Sequence, residues 1–189
     1  GAALPRADRT VDGAGGFLMP GLIDAHTHFD GAEQLKDYLR YGVTTIFSLG
    51  TRDEDRAALN TAVAQQRQGK LPGTRIYATG PSIGNHRNLE VSQVAAYVDE
   101  LKRDGLSFVK VYNAIPEPVF YALTDAAHAR GMGVFGHIPR TFPADRSLRK
   151  IDIVAHMEEF FFALNRAVVT DSALPQLQPD WQPDLVQPM

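Results

Sequence analysis

Six short runs of apolar and β-branched residues alternate with segments of helical spacing along most of this sequence. Parallel strands joined by helical crossovers produce such a pattern, because both faces of each strand are covered and polar alternation is not needed. The predicted strands lie at about 17–28, 43–48, 75–79, 107–112, 133–138 and 151–156. The pattern predicts an α/β fold, and both a doubly wound open sheet and a (β/α)8 barrel satisfy it.

The segments between these strands carry helix signals. Thr51 is predicted to cap the second helix, with Glu54 three residues later completing a capping box. A Gly- and Asn-rich loop is predicted at 80–88, before a helix at 92–103. The apolar face predicted for that helix consists of Val94, Tyr97, Val98 and Leu101. Further helices are predicted at about 32–40, 116–129, 144–150 and 158–168.

The first strand ends in Asp24-Ala25-His26-Thr27-His28. A dinucleotide-binding fold would carry a Gly-x-Gly-x-x-Gly turn here, so this sequence argues against that class. Residues two apart on a strand point to the same face, which places His26 and His28 side by side. Two adjacent imidazoles suit a metal ion, although a lone His-x-His is more typical of polar residues bonded to loop backbone.

Polar residues recur at the carboxyl ends of later strands. His137 ends the fifth strand, His156 ends the sixth, and Lys110 lies within the fourth. In a barrel this face of the sheet carries the active site. Together with His26 and His28, these residues predict a metal site.

Lys110 is unusual because strand alternation directs its side chain to the same face as Phe108 and Tyr112. A buried, unpaired ammonium is costly. One solution is a salt bridge to a carboxylate. The other is a neutral amine that has captured carbon dioxide as a carbamate, an anion able to bridge two divalent cations.

The composition argues against nucleic-acid binding and a membrane span, and it limits the side chains that could bind a metal. The chain has 189 residues and a formal charge of −3, and we find no basic stripe typical of nucleic-acid binding. No apolar run reaches the roughly 18 residues that a membrane span requires. Because the chain has no Cys, any metal must be bound by His, Asp, Glu or a modified side chain. Nothing in the composition indicates a compartment.

The ordered motifs resemble those of the amidohydrolase superfamily, in its prolidase- and imidazolonepropionase-related branch. They are Pro20–His28, Val109-Lys110-Val111-Tyr112, Gly136-His137-Ile138-Pro139 and Ala155-His156. The resemblance implies a TIM-barrel hydrolase with a binuclear centre. His26 and His28 would bind one divalent metal, His137 and His156 the other, and carboxylated Lys110 would bridge them. Zinc is the default metal for such a His-rich site.

The implied reaction is hydrolysis of an amide or other C–N bond by a metal-bridging hydroxide. The substrate would be a small molecule such as a dipeptide, an acylated amino acid or a cyclic amide, and an ester or lactone is also compatible. A non-catalytic metal-binding relative, or an inactive fragment, is the alternative. The sequence leaves open whether the protein forms a homo-oligomer.

The chain departs from the family pattern near its end. About six of the eight βα units are present, and the family's strand-eight Asp is expected beyond residue 189, so no catalytic residue is assigned. The predicted organisation is a small-β-domain remnant and lead-in at 1–18, an incomplete barrel at 19–170 and a Pro-rich loop or tail at 171–189. That tail contains Asp171, Asp180 and Asp184, none of which follows a strand pattern.

Secondary candidates lie near the predicted site. His86 and Tyr112 are predicted to contact substrate. Asp24 is a candidate to orient a metal-binding histidine. Glu158 and Glu159 fit the first turn of a helix, where carboxylates favour the helix dipole.

Overall fold

The structure is a computed structural model that describes residues 7–168, with side chains described for residues 7–163. Its strands are β1 (Leu22–Thr27), β2 (Val43–Ser48), β3 (Arg75–Ile83), β4 (Phe108–Val111), β5 (Gly133–Gly136) and β6 (Ile153–Val154). Its helices are α1 (Gln34–Arg40), α2 (Arg56–Arg67), α3 (Val91–Arg103), α4 (Glu117–Ala129), α5 (Ala144–Ser147) and α6 (Glu158–Val168). The Pro-rich segment predicted at 171–189 lies outside the described residues.

The six strands form one sheet in the order β1-β2-β3-β4-β5-β6, and every neighbouring pair is parallel. A doubly wound sheet reverses its strand order at a switch point, and this sheet does not. Right-handed crossovers in unbroken sequence order put all helices on one side, which curls the sheet. The described chain is an α/β half-barrel, consistent with part of a TIM-like barrel.

The main core lies between the outer face of the sheet and the helices. Strand residues such as Ile46, Val109 and Val134 are fully buried there, in one apolar cluster with residues of the helices. The predicted apolar face of α3 is confirmed, because all four of its residues are buried. Its Tyr97 hydroxyl donates a hydrogen bond to the Pro81 carbonyl at 3.2 Å, which satisfies the polar end of this buried ring.

The inner face of the sheet carries a second, aromatic layer. Phe47 lies 5.2 Å from Tyr77, 5.7 Å from Phe108 and 6.0 Å from Phe135, measured between ring centroids. Each ring comes from a different strand, β2 to β5. Strand alternation puts Lys110 on the same face as Phe108, and His137 on the same face as Phe135. The aromatic layer therefore forms an apolar floor below these two residues.

Three local expectations need correction. The first strand begins at Leu22, because the preceding Phe17 and Leu18 are fully exposed and pair with nothing in the sheet. The Thr51 capping box is wrong: α2 begins at Arg56, and the Thr51 hydroxyl lies 3.5 Å from that of Ser48. β3 continues to Ile83, into the predicted loop, because its final residues pair with β4.

Residues 7–18 are exposed and contain no strand, so their assignment to a small β-domain stays a prediction. Among the described helices, none has the length and apolarity needed to cross a bilayer.

Candidate metal centre

The four predicted histidines converge at the carboxyl edge of the sheet. The His26 ring centroid lies 5.7 Å from that of His28 and 4.5 Å from that of His156, and His156 lies 4.8 Å from His137. His26 belongs to β1, His137 follows β5 and His156 follows β6. The curvature of the sheet thus brings side chains from its first and last described strands together at this edge.

Burial and neighbouring positive charge disfavour protonation of His26 and His156. Desolvation, followed by the charges of Lys110 and His156, lowers the pKa of His26 to about 4. Burial, followed by the charge of His137, also lowers the pKa of His156. A neutral imidazole keeps a nitrogen lone pair free, and that is the form in which histidine binds a metal ion.

Lys110 is a buried amine. Its side chain is 3% exposed, and in the described part of the chain its Nζ has no hydrogen-bond partner. It lies 5.5 Å from the ring centroid of Phe135, on the neighbouring strand. Burial lowers the pKa of Lys110 from 10.5 to about 8, although the charge of Glu159 opposes the shift. Among the described residues Lys110 forms no direct salt bridge, which was the first of its two predicted solutions.

Glu159 contacts the candidate site, and the prediction of a first-turn carboxylate did not include this contact. It does lie in the first turn of α6, but its side chain is buried and its Oε1 lies 2.7 Å from Nδ1 of His137. Burial alone would raise its pKa, but the hydrogen bond from His137 and the charge of Arg140 lower it. The carboxylate therefore contacts a site residue instead of serving only the helix dipole.

Two of the secondary candidates, Tyr112 and Asp24, contact histidines of the site, whereas His86 lies in an exposed turn. The Tyr112 ring lies against His137, with centroids 4.0 Å apart. The Asp24 carboxylate accepts the backbone N–H of His26 at 3.1 Å, so it contacts the backbone of that residue and not its ring. His86 is exposed in the turn after β3, where its backbone N–H donates to Ser82. Its substrate contact stays a prediction.

The described side chains at this site are of the types that bind metal ions, but their present positions do not form a coordination site. Among the described residues, no three His, Asp or Glu side chains already form a group that could hold an ion. The histidine rings instead contact one another. However, neutral imidazoles lie beside a buried amine that has no hydrogen-bond partner among the described residues. This nitrogen-rich donor set fits a divalent cation such as zinc.

Solved structures provide an independent comparison. Bottromycin amidohydrolase matches 82% of this chain at 27% sequence identity, with a TM-score of 0.64. The likeness to the amidohydrolase superfamily is therefore confirmed. An uncharacterized protein matches 73% of the chain at 18% identity, with a TM-score of 0.56, and this shows the fold alone. The chain spans 35% and 47% of the lengths of these two structures.

No protein-family model and no curated protein matches the sequence of this chain.

Proposed function

We propose that this protein is a metal-dependent hydrolase of an amide or related C–N bond. The proposal is carried by four histidines that converge with buried Lys110, which has no hydrogen-bond partner among the described residues, at the carboxyl edge of one parallel sheet. Active sites of barrel enzymes form at this edge. The structural likeness to an amidohydrolase supports the choice of a C–N bond.

His26, His28, His137 and His156 would hold two divalent cations, with Lys110 between the pairs. The low pKa of His26 leaves its ring free of a competing proton at neutral pH. When bound, such cations supply a hydrolytic nucleophile at neutral pH and polarise the scissile carbonyl.

Lys110 would serve as the bridging anion after carboxylation. Its neutral amine adds to carbon dioxide, forming an N–C bond and releasing one proton to solvent, which yields the carbamate. With a pKa of about 8, roughly half of the Lys110 side chains are neutral at pH 8, compared with about 0.3% for an ordinary lysine. The apolar surroundings near Phe135 disfavour the charged ammonium and thereby raise the neutral fraction of this amine.

The substrate would be a small molecule with an activated carbonyl. Dipeptides, acylated amino acids and cyclic amides are the first candidates, and esters or lactones react by the same addition to the carbonyl. Tyr112 is a candidate contact, since its ring borders His137. His86 is a further candidate in the loop after β3.

Metal analysis of the purified protein tests this proposal. We expect about two divalent ions per chain in the wild type, and one or none in Lys110→Ala. Lys102→Ala is the matched control, because that lysine is exposed on α3. Removing bicarbonate should lower the metal content, and adding it should restore the content in the wild type but not in Lys110→Ala. A wild-type protein without bound metal would refute the proposal.

Hydrolysis of a panel of dipeptides, acylated amino acids, cyclic amides and lactones then tests turnover. Activity that depends on added metal is expected. Bound metal without hydrolysis of any panel member would instead support the non-catalytic metal-binding alternative.

A further inference from the structure

The Arg140 guanidinium is a half-exposed cation at the carboxyl edge of the sheet. Arg140 lies in the loop after β5, three residues beyond His137, and its side chain is 44% exposed. Its backbone N–H donates to the Asn113 carbonyl at 2.7 Å, and Asn113 lies three residues after Lys110 in the loop that follows β4. The backbone of Arg140 is therefore fixed between the strand ends that carry Lys110 and His137.

Two contacts with α6 hold the cationic end of this side chain near the candidate metal centre. The Arg140 Cζ lies over the ring of Phe162, 4.3 Å from its centroid. The Nη2 lies 3.5 Å from Oε1 of Glu159, and the same oxygen lies 2.7 Å from Nδ1 of His137. A cation–π contact is an attraction to the ring quadrupole and uses no N–H donor. The guanidinium is thus held beside the centre while most of its donors stay available.

The hydrogen bonds of Arg140 show how much capacity is left. In the described part of the chain its guanidinium makes a single hydrogen bond, the one to Glu159, which at 3.5 Å is long for such a bond. Arg130, by comparison, makes two bonds to Asp99, at 2.6 and 3.0 Å. A guanidinium presents its N–H groups as a planar fork that matches a carboxylate. Arg140 can therefore bind the carboxylate of a ligand.

The other arginines in loops at this edge pair away from the centre. Arg87 lies 3.1 Å from Asp53, and Arg52 lies 3.8 Å from Glu54. Neither of these ion pairs includes a residue that contacts a candidate ligand. Among the arginines of these described loops, Arg140 is the one whose carboxylate partner also contacts a histidine of the centre.

We propose that Arg140 is a specificity-determining residue that binds a free carboxylate on the substrate, so that acylated amino acids and dipeptides are the preferred substrates. This inference rests on the proposed function above and selects among the substrate classes named there. In the hydrolysis, the hydroxyl of water bonds to the acyl carbon, the C–N bond breaks, and the remaining proton of the water goes to the amine nitrogen. In both preferred classes a single carbon separates that nitrogen from a carboxylate. A simple cyclic amide or lactone has no free carboxylate there.

A role confined to neutralising Glu159 does not account for this arrangement. A buried carboxylate is stabilised best by short, bidentate bonds from an arginine. The contact from Arg140 is instead single and long, and nearly half of the arginine side chain remains exposed. Both features are expected of an arginine that also receives a second carboxylate from solution.

A pair of substrates that differ only in the carboxylate tests this inference. N-acetyl-L-alanine and N-acetyl-L-alaninamide share the same acetyl C–N bond, and acetate release measures its hydrolysis. We expect the wild type to prefer the free acid. Arg140→Met should lose roughly 10- to 100-fold in kcat/KM on the acid, mainly through KM, with little change on the amide. Arg140→Lys keeps the charge but not the fork, so it should recover part of the loss.

Arg146→Met is the matched control, because Arg146 also pairs with a glutamate, Glu117, at 3.0 Å, and contacts none of the candidate ligands. Its preference for the acid should equal that of the wild type. An Arg140→Met protein that loses the same factor on acid and amide would refute the inference, because a purely structural role affects both substrates alike.

Binding of the same two compounds to the metal-free protein, measured by calorimetry, is the second readout. Preferential binding of the acid that is lost in Arg140→Met and kept in Arg146→Met supports the inference even if neither compound is hydrolysed, and in that case the proposed function alone fails. Equal binding of acid and amide, or no binding of either, overturns the inference even if the protein proves to be a hydrolase.

Discussion

Replacing Lys110 with Met should stabilise the metal-free protein. The Lys110 ammonium is buried beside Phe135, and its Nζ has no hydrogen-bond partner in the described part of the chain. Burial lowers its pKa from 10.5 to about 8. Each tenfold change in proton affinity corresponds to about 1.4 kcal/mol, so the protonated side chain costs about 3 kcal/mol in the folded state. Methionine has a similar length and carries no charge.

The gain should depend on pH in a defined direction. Below about pH 8 the lysine is protonated in both the folded and the unfolded protein, and the full cost is present. Between pH 8 and pH 10.5 only the unfolded chain retains the proton, so the free energy of unfolding of the wild type rises with pH. The advantage of Lys110→Met should therefore be largest at neutral pH and should shrink across this window.

Urea unfolding with chelator present, in buffer free of carbon dioxide, measures this difference at pH 7 and pH 10. The difference between the two proteins isolates Lys110, because all other titrating groups are shared. Lys102→Met provides a control for an exposed lysine on α3. A stability difference that is independent of pH, or a Lys110→Met protein that is less stable at pH 7, would refute the reasoning.

Two further predictions concern the elements that support the site. Asp152 accepts a hydrogen bond from the Val134 backbone N–H at 2.7 Å and pairs with His128 at 3.0 Å. Asp152→Ala should therefore lower the free energy of unfolding, measured in urea, by about 1–2 kcal/mol. An unchanged urea midpoint would contradict this role. A side chain at Gly136 would overlap the carbonyl oxygen of Val111 on the neighbouring strand, so Gly136→Ala should cost about 1–3 kcal/mol, visible as a lower Tm. A Gly136→Ala protein with the wild-type Tm would show that β4 and β5 accommodate the added methyl group without loss of stability.

Local patterns in the sequence were sufficient for most of the secondary structure. The buried face of α3 followed from its helical spacing, because residues three and four apart share a helix face. The positions of His26, Lys110, His137 and His156 followed from their places in apolar strands, since parallel strands align their carboxyl ends at one edge.

Other local patterns led to wrong boundaries. Thr51 and Glu54 have the spacing of a capping box, but the Thr51 side chain is buried near Ser48 and the helix begins later. Hydroxyl groups bind either a helix end or a neighbouring side chain, and residue spacing alone does not distinguish these partners. Phe17 and Leu18 are apolar enough for a strand, yet none of the described strands pairs with them.

The sequence by itself determined the order of strands and helices and the set of candidate ligands. The tertiary structure decided how those residues meet. Contact between His26 and His156 requires the sheet to curl until its first and last strands approach each other. The pairing of Glu159 with His137 joins a helix to a strand end, and the aromatic floor joins four strands. Periodicity reports which face of one element is buried, whereas these contacts depend on the curvature of the whole sheet.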